Sequence, residues 1–239
     1  MKRLVRVLVT LVALAVILVA ADLGARSYVL RRVAAEVQQE QRLPSTPTVT
    51  VAGGSFLLQA ARGRFEDVTL TAPAYAGEVE LRDVTVRFPH ADVPRAVLLG
   101  RPATVRLPPG TVRASVPYPS LAERASVGGV DVSLARAGAD LRATTRVPLL
   151  GEVGLVLSPQ LAGDVVQLTP ESASLRGREI GLGQLRRLAD LAGVDTPLDR
   201  IDVSLDGVPG EVRLTRLEVA DAGVVVDGTV AASQVPVGG

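Results

Sequence analysis

The chain is 239 residues long, with 47% hydrophobic, 21% charged and 3% aromatic residues, a formal net charge of +1, one histidine and no cysteine. Without cysteine there is no thiol nucleophile, zinc-thiolate or iron-sulfur centre and no disulfide framework. Its 26 basic and 25 acidic residues are interleaved along the chain, so the clustered cationic stripe that nucleic acid requires is missing.

Lys2, Arg3 and Arg6 precede an uncharged run, Val7 to Ala21. This charge order keeps the amino terminus in the cytoplasm and exports the rest of the chain. Residues 1–21 therefore read as a signal anchor or signal peptide. The expected location is the cell membrane, N-in, with the domain extracytoplasmic, periplasmic or secreted if the segment is cleaved. Fifteen residues span about 22 Å of helix against a hydrocarbon core of roughly 30 Å. Counting from Leu4 to Leu23 closes that gap if Arg6 snorkels. Val19, Ala20 and Ala21 offer small residues for cleavage, but the helical pattern continues straight through Asp22 to Arg42, which favours an uncleaved anchor.

From Asp22 to Arg42, Leu23, Tyr28, Leu30, Val33, Ala34 and Val37 recur at roughly helical spacing, opposite Arg31, Arg32, Glu36, Gln38 and Glu40. An amphipathic helix or linker over 22–42 is expected, ended by Pro44 and Pro47. The remaining stretch, 43–239, is expected to form one domain, folded to about Val230.

That stretch alternates like strands. Val79 and Leu81 give way to Val84, Val86 and Phe88, a slip of phase near Asp83 that a β-bulge would produce. Val130 to Leu134 turns at Ala137-Gly138-Ala139 and returns through Leu141 to Val147. Further strands are expected at Val153 to Leu157, Val165 to Leu175, Ile201 to Leu205, Val212 to Val219 and Val224 to Val230. Helices are expected from Pro119 to Ala125, from Gly183 to Ala192, and over Phe56 to Ala61. The pattern predicts an α+β fold: a long curved antiparallel sheet packed on a few helices and preceded by an N-terminal membrane helix.

Catalytic and metal motifs are weak. His90 is the only imidazole, so a Ser-His-Asp triad would have to run through it and Asp92, yet no serine sits in a G-x-S-x-G elbow. Glu66-Asp67 and Asp199 with Asp202 offer paired carboxylates, but acids near turns are usually solvated caps. Asp202, Ser204, Asp206 and Gly207 open like a calcium loop, whose twelfth position is here Arg213 instead of a bidentate acid. Gly181 to Arg186 lacks the third glycine of a dinucleotide fingerprint, and Lys2 is the only lysine, so there is no phosphate-binding loop. No cofactor is expected.

Apolar surface is plentiful: the mean hydropathy is +0.31. It can fill a Val/Leu core, or it can line a greasy channel that needs area rather than catalytic groups. Burying a 16-carbon acyl chain is worth about 12 kcal/mol gross at roughly 0.8 kcal/mol per methylene, before ordering costs.

Four stretches after the anchor, in this order and spacing, carry a resemblance: Gly63-Arg-Phe-Glu-Asp-Val-Thr-Leu70, Val116-Pro-Tyr-Pro-Ser-Leu121, Gly210-Glu-Val-Arg-Leu214 and Asp221-Ala-Gly-Val-Val-Val226. With them the chain resembles the LmeA-like phospholipid-binding proteins of bacterial envelopes. The resemblance implies a lipid-binding domain outside the cytoplasm, related in shape to the tubular lipid-binding proteins, and supplies no binding residue. From the residues themselves, acyl chains of a phospholipid or glycolipid are expected against Leu121, Val153, Leu155, Leu185, Leu188, Val203 and Leu205. Arg186 and Arg187 would face the headgroup, or simply solvent. The expected role is non-enzymatic binding at the outer side of the cytoplasmic membrane, supporting envelope lipid handling. The alternatives are a structural or protein-interaction module of the envelope and a hydrolase built on His90.

Overall fold

The computed structural model describes residues 2–40, 43–76, 80–98, 101–125, 131–147, 151–162, 165–191, 201–204 and 212–237; for 2–15, 40, 98, 124–125, 189–191, 201–204 and 236–237 it describes the backbone alone. In chain order the elements are α1 (Lys2–Glu40), β1 (Thr48–Ala52), α2 (Phe56–Arg62), β2 (Arg64–Ala76), β3 (Glu80–Asp92), α3 (Arg95–Leu98), β4 (Ala103–Leu107), β5 (Gly110–Pro117) and α4 (Tyr118–Ala125). They continue with β6 (Val132–Ala137), β7 (Asp140–Val147), β8 (Gly151–Ala162), β9 (Val165–Leu175), β10 (Arg178–Ile180), α5 (Leu182–Leu191), β11 (Ile201–Ser204), β12 (Val212–Val219), β13 (Gly223–Val230) and β14 (Ser233–Val237). Antiparallel strands with few helices make this an α+β protein.

Two compact units divide the chain: residues 1–72, 85–110 and 231–239 form the first, and residues 73–84 and 111–230 the second.

In the first unit, α1 lies against β1 and α2. Val51, Phe56 and Phe65 form its buried core, with Ala25, Val29 and Leu30 of α1 packed on it. The Phe56 and Phe65 rings meet at 5.1 Å between centroids. Here β1 pairs with β2, and the register shifts so that Val51 faces Val68 while Ala52 faces Glu66. Asp67 is the extra residue, at φ 48°, a left-handed conformation that Asp tolerates better than most side chains. The bulge returns Phe65 and Val68, three positions apart, to the same apolar cluster. Strand β14 pairs with β4 from Ser233↔Leu107 to Val237↔Ala103, so ordered structure runs past the expected end at Val230.

One helix runs unbroken from Lys2 to Glu40, through both the expected anchor and the amphipathic stretch. Among the described residues, no helix is long and apolar enough to cross a membrane. From Val16 onward the reason is charge: every 18-residue window contains at least four of Asp22, Arg26, Arg31, Arg32, Glu36 and Glu40. Most of the Val7 to Ala21 run falls on 2–15, whose side chains lie outside the described residues.

In the second unit the strands form two groups. One is ordered β3-β5-β13-β12, and the other is a sheet ordered β10-β9-β8-β7-β6 with β11 also on β9. Their inner faces share a core: Leu81, Ala114, Val116, Val219, Val224 and Val226 from the first meet Leu141, Leu157, Val166 and Leu168 from the second. Asp83, at φ 52°, marks the expected slip in β3, so Leu81 and Val84 both reach this core. A register shift between Leu214 and Arg216 does the same for Leu214 and Leu217 of β12.

Candidate lipid-binding face

The alternation of β6 to β10 places one apolar residue from each strand in a transverse row. Register pairs Leu134 with Ala143, Ala143 with Leu155, Leu155 with Ala173 and Ala173 with Ile180. Directly opposed residues project from the same face of an antiparallel sheet. The row therefore crosses five strands, about 19 Å at the usual spacing of roughly 4.8 Å.

Burial varies along this face. Leu141 and Leu157 on one side of the row are each 2% exposed, and Val147 and Val153 on the other side are also buried. Ala143 and Leu155 between them are only half-buried. The protein covers the face well at both ends and less well in the middle. Two clusters produce this pattern. The core shared by the two strand groups holds one end; at the other, Leu185 of α5 packs with Val147, Val153 and Ala173, flanked by Leu175, Ile180 and Leu182. Leu155 borders both clusters.

Local sequence explains the two covers. Helix α5 opens after Gly181, whose carbonyl accepts from Gln184 N at 2.9 Å and Leu185 N at 3.0 Å, and it brings Leu185 onto β9. Helix α4 lies against β6. It follows directly from β5, and its first residue, Tyr118, is buried and donates from its hydroxyl to the carbonyl of Ala220. Burial raises the Tyr118 pKa; Arg136 nearby works against the shift and Asp221 with it. Arg136 binds Asp221 at 2.7 Å and, through Nε, the carbonyl of Gly138 at 2.9 Å.

Of the expected lipid contacts, Val153, Leu155 and Leu185 come together in one cluster. Leu121 on α4 packs against the shared core, which also borders Leu155. Leu188 is half-buried on α5. Val203 pairs in register with Val166, its side chain outside the described residues, and Leu205 lies outside them altogether. Arg186 and Arg187 are exposed, and Arg187 Nε turns back to the carbonyl of Gly183 at 3.2 Å. The row members Leu134, Ala143, Ala173 and Ile180 were missed. Alternation places each on a strand face, but only register aligns them across strands.

His90 sits on β3 with Nε2 3.9 Å from Asp92 Oδ2, beyond hydrogen-bonding distance. Ile201–Ser204 is strand, as the hairpin alternative to a calcium loop requires, while Asp206 and Gly207 lie outside the described residues. Among the described residues no group of three or more His, Asp or Glu side chains could hold a metal ion.

A broad apolar sheet face that is half-buried at its middle is a surface on which an apolar ligand can bury area. A family model described as LmeA-like phospholipid-binding matches residues 20–229, and the chain belongs to that family. No curated protein and no solved structure matches it.

Proposed function

We propose that this protein binds phospholipid without catalysing a reaction on it, seating an acyl chain against Leu134, Ala143 and Leu155 of the row. The supporting observation is the half-buried middle of an apolar face whose two ends are tightly packed. Leu121, Val153, Leu185 and Leu188 form the surroundings of the chain, and Arg186 and Arg187 meet the headgroup of a phospholipid or glycolipid. Hydrocarbon burial drives binding, so neither His90 nor a metal is needed. The apolar start of α1 inserts in the cytoplasmic membrane and holds the domain at its outer side, where it handles envelope lipid. Photolabelling of the full chain with phosphatidylcholine carrying a diazirine in one acyl chain tests the site. Labels should concentrate on the peptides containing Leu134, Ala143 and Leu155. Labels confined to α1 would contradict the site.

A further inference from the structure

We infer that the first turn of α2 is a second membrane contact, in which Leu57 and Leu58 insert into the outer leaflet beside α1. The inference rests on the reading that the start of α1 is embedded, and it adds a surface outside the lipid-binding face.

The observations lie within the first unit. Val16, Ile17, Leu18 and Val19 are 57–63% exposed although they occupy successive positions around α1, so this part of the helix projects from the unit with apolar side chains on every side. A helix apolar all round is stable in apolar surroundings and not in water. Three residues further on, Asp22 is hydrogen-bonded to the start of α2. Its Oδ1 accepts from Ser55 Oγ at 2.7 Å and from Leu57 N at 2.7 Å, and its Oδ2 accepts from Phe56 N at 3.0 Å. With a rise of 1.5 Å per residue, Asp22 lies about 4.5 Å along the axis from Val19. The first turn of α2 is thereby pinned at the level where the apolar sleeve ends.

What α2 presents there is unusual for a water-facing helix. Phe56 and Gln59 point into the unit, whereas Leu57 and Leu58 are 42% and 49% exposed. Leu23, one turn beyond Val19 on α1, is 58% exposed and extends the apolar surface. Asp22 does not oppose this placement, because its carboxylate already receives three donors. Arg62, exposed in the last turn of α2, can reach lipid phosphates. The occupant consistent with a sleeve and a leucine pair at one level is the bilayer that receives the sleeve.

The natural chain has no cysteine, so one introduced thiol gives a unique label. Full-length Ile17→Cys, Leu57→Cys and Leu58→Cys variants carrying the fluorophore NBD are reconstituted into phosphatidylcholine–phosphatidylglycerol vesicles, with nitroxide quenchers on the acyl chains. Blue-shifted, acyl-quenched emission at 17 and at 57 or 58 supports the proposal. Quenching at 17 with water-like emission at both 57 and 58 overturns the second contact and leaves the tether intact. Water-like emission at 17 overturns the tether and the contact that depends on it.

Discussion

Gly223 opens β13 so close to Val116 that a Cβ on it would stand 2.1 Å from the Val116 carbonyl oxygen, 2.8 Å from that carbonyl carbon and 2.9 Å from Pro117 Cα. All three are backbone atoms and cannot rotate away. The contact joins two of the stretches that carry the family resemblance, and the Tyr118 hydroxyl on Ala220 reinforces it from the other side. Gly223→Ala should therefore cost about 3 kcal/mol, at the upper end of the usual overpacking range. Gly183, with nothing within 4 Å of its Cβ position, is the control: Gly183→Ala on α5 should gain about 0.4–1 kcal/mol. Urea unfolding midpoints of the two variants should move in opposite directions.

Asp22 should give α2 a pH-dependent hold on α1. Its carboxyl pKa lies below the ordinary 3.8, chiefly through the Leu57 N–H and then the Ser55 hydroxyl, with burial opposing and Phe56 N–H and Arg26 adding to the shift. A depressed folded pKa means the contact is at full strength above 3.8 and is lost as pH falls through the lowered value. Protection of the Phe56 and Leu57 amides, taken against the intrinsic exchange rate at each pH, should be high near neutral pH and fall at the acid end. In Asp22→Ala these amides should be unprotected at every pH.

Stability and lipid binding should separate along the sheet face. Leu185 is 3% exposed, so Leu185→Ala leaves a cavity and should cost about 2–5 kcal/mol in chemical denaturation. Leu155, half-buried in the middle of the row, should tolerate Leu155→Gln with a smaller loss of stability but bind phospholipid far more weakly, because the amide is desolvated by the acyl chain. Equal effects of Leu155→Gln and Leu185→Ala on both properties would count against a binding row.

Arg186 and Arg187 sit on an exposed helix face, where a single ionic contact is worth about 0–1 kcal/mol. The double Ala variant should lower the preference for anionic over zwitterionic phospholipid by about fivefold per arginine at most, and added salt should erase the difference. His90→Ala should leave phospholipid binding unchanged in the same assay.

Sequence patterning located most strands and the helices near 56, 119 and 183, because period-2 and period-3.6 spacing survive in a single chain. Bulges were harder to read. The slip at Asp83 showed as a break in alternation, whereas Asp67 makes the same break within Phe65-Glu66-Asp67-Val68, where fewer apolar residues mark the phase. Leu155 and Leu185 could be chosen as apolar residues on the right elements. Their partners Leu134, Ala143 and Ile180 could not, since cross-strand register depends on turns and bulges outside each strand. The docking of α1 was also hidden. Asp22 reads as the end of an apolar run, and nothing local shows that its acceptors meet the start of a helix 33 residues away.

The most direct measurement is native mass spectrometry of the full chain released from a mild detergent, with Leu155→Gln alongside. The natural chain should carry a mass increment equal to one phospholipid, as purified or after incubation with phospholipid vesicles, and the variant should lose it. A natural chain that stays at its bare mass under both conditions would contradict phospholipid binding at this face.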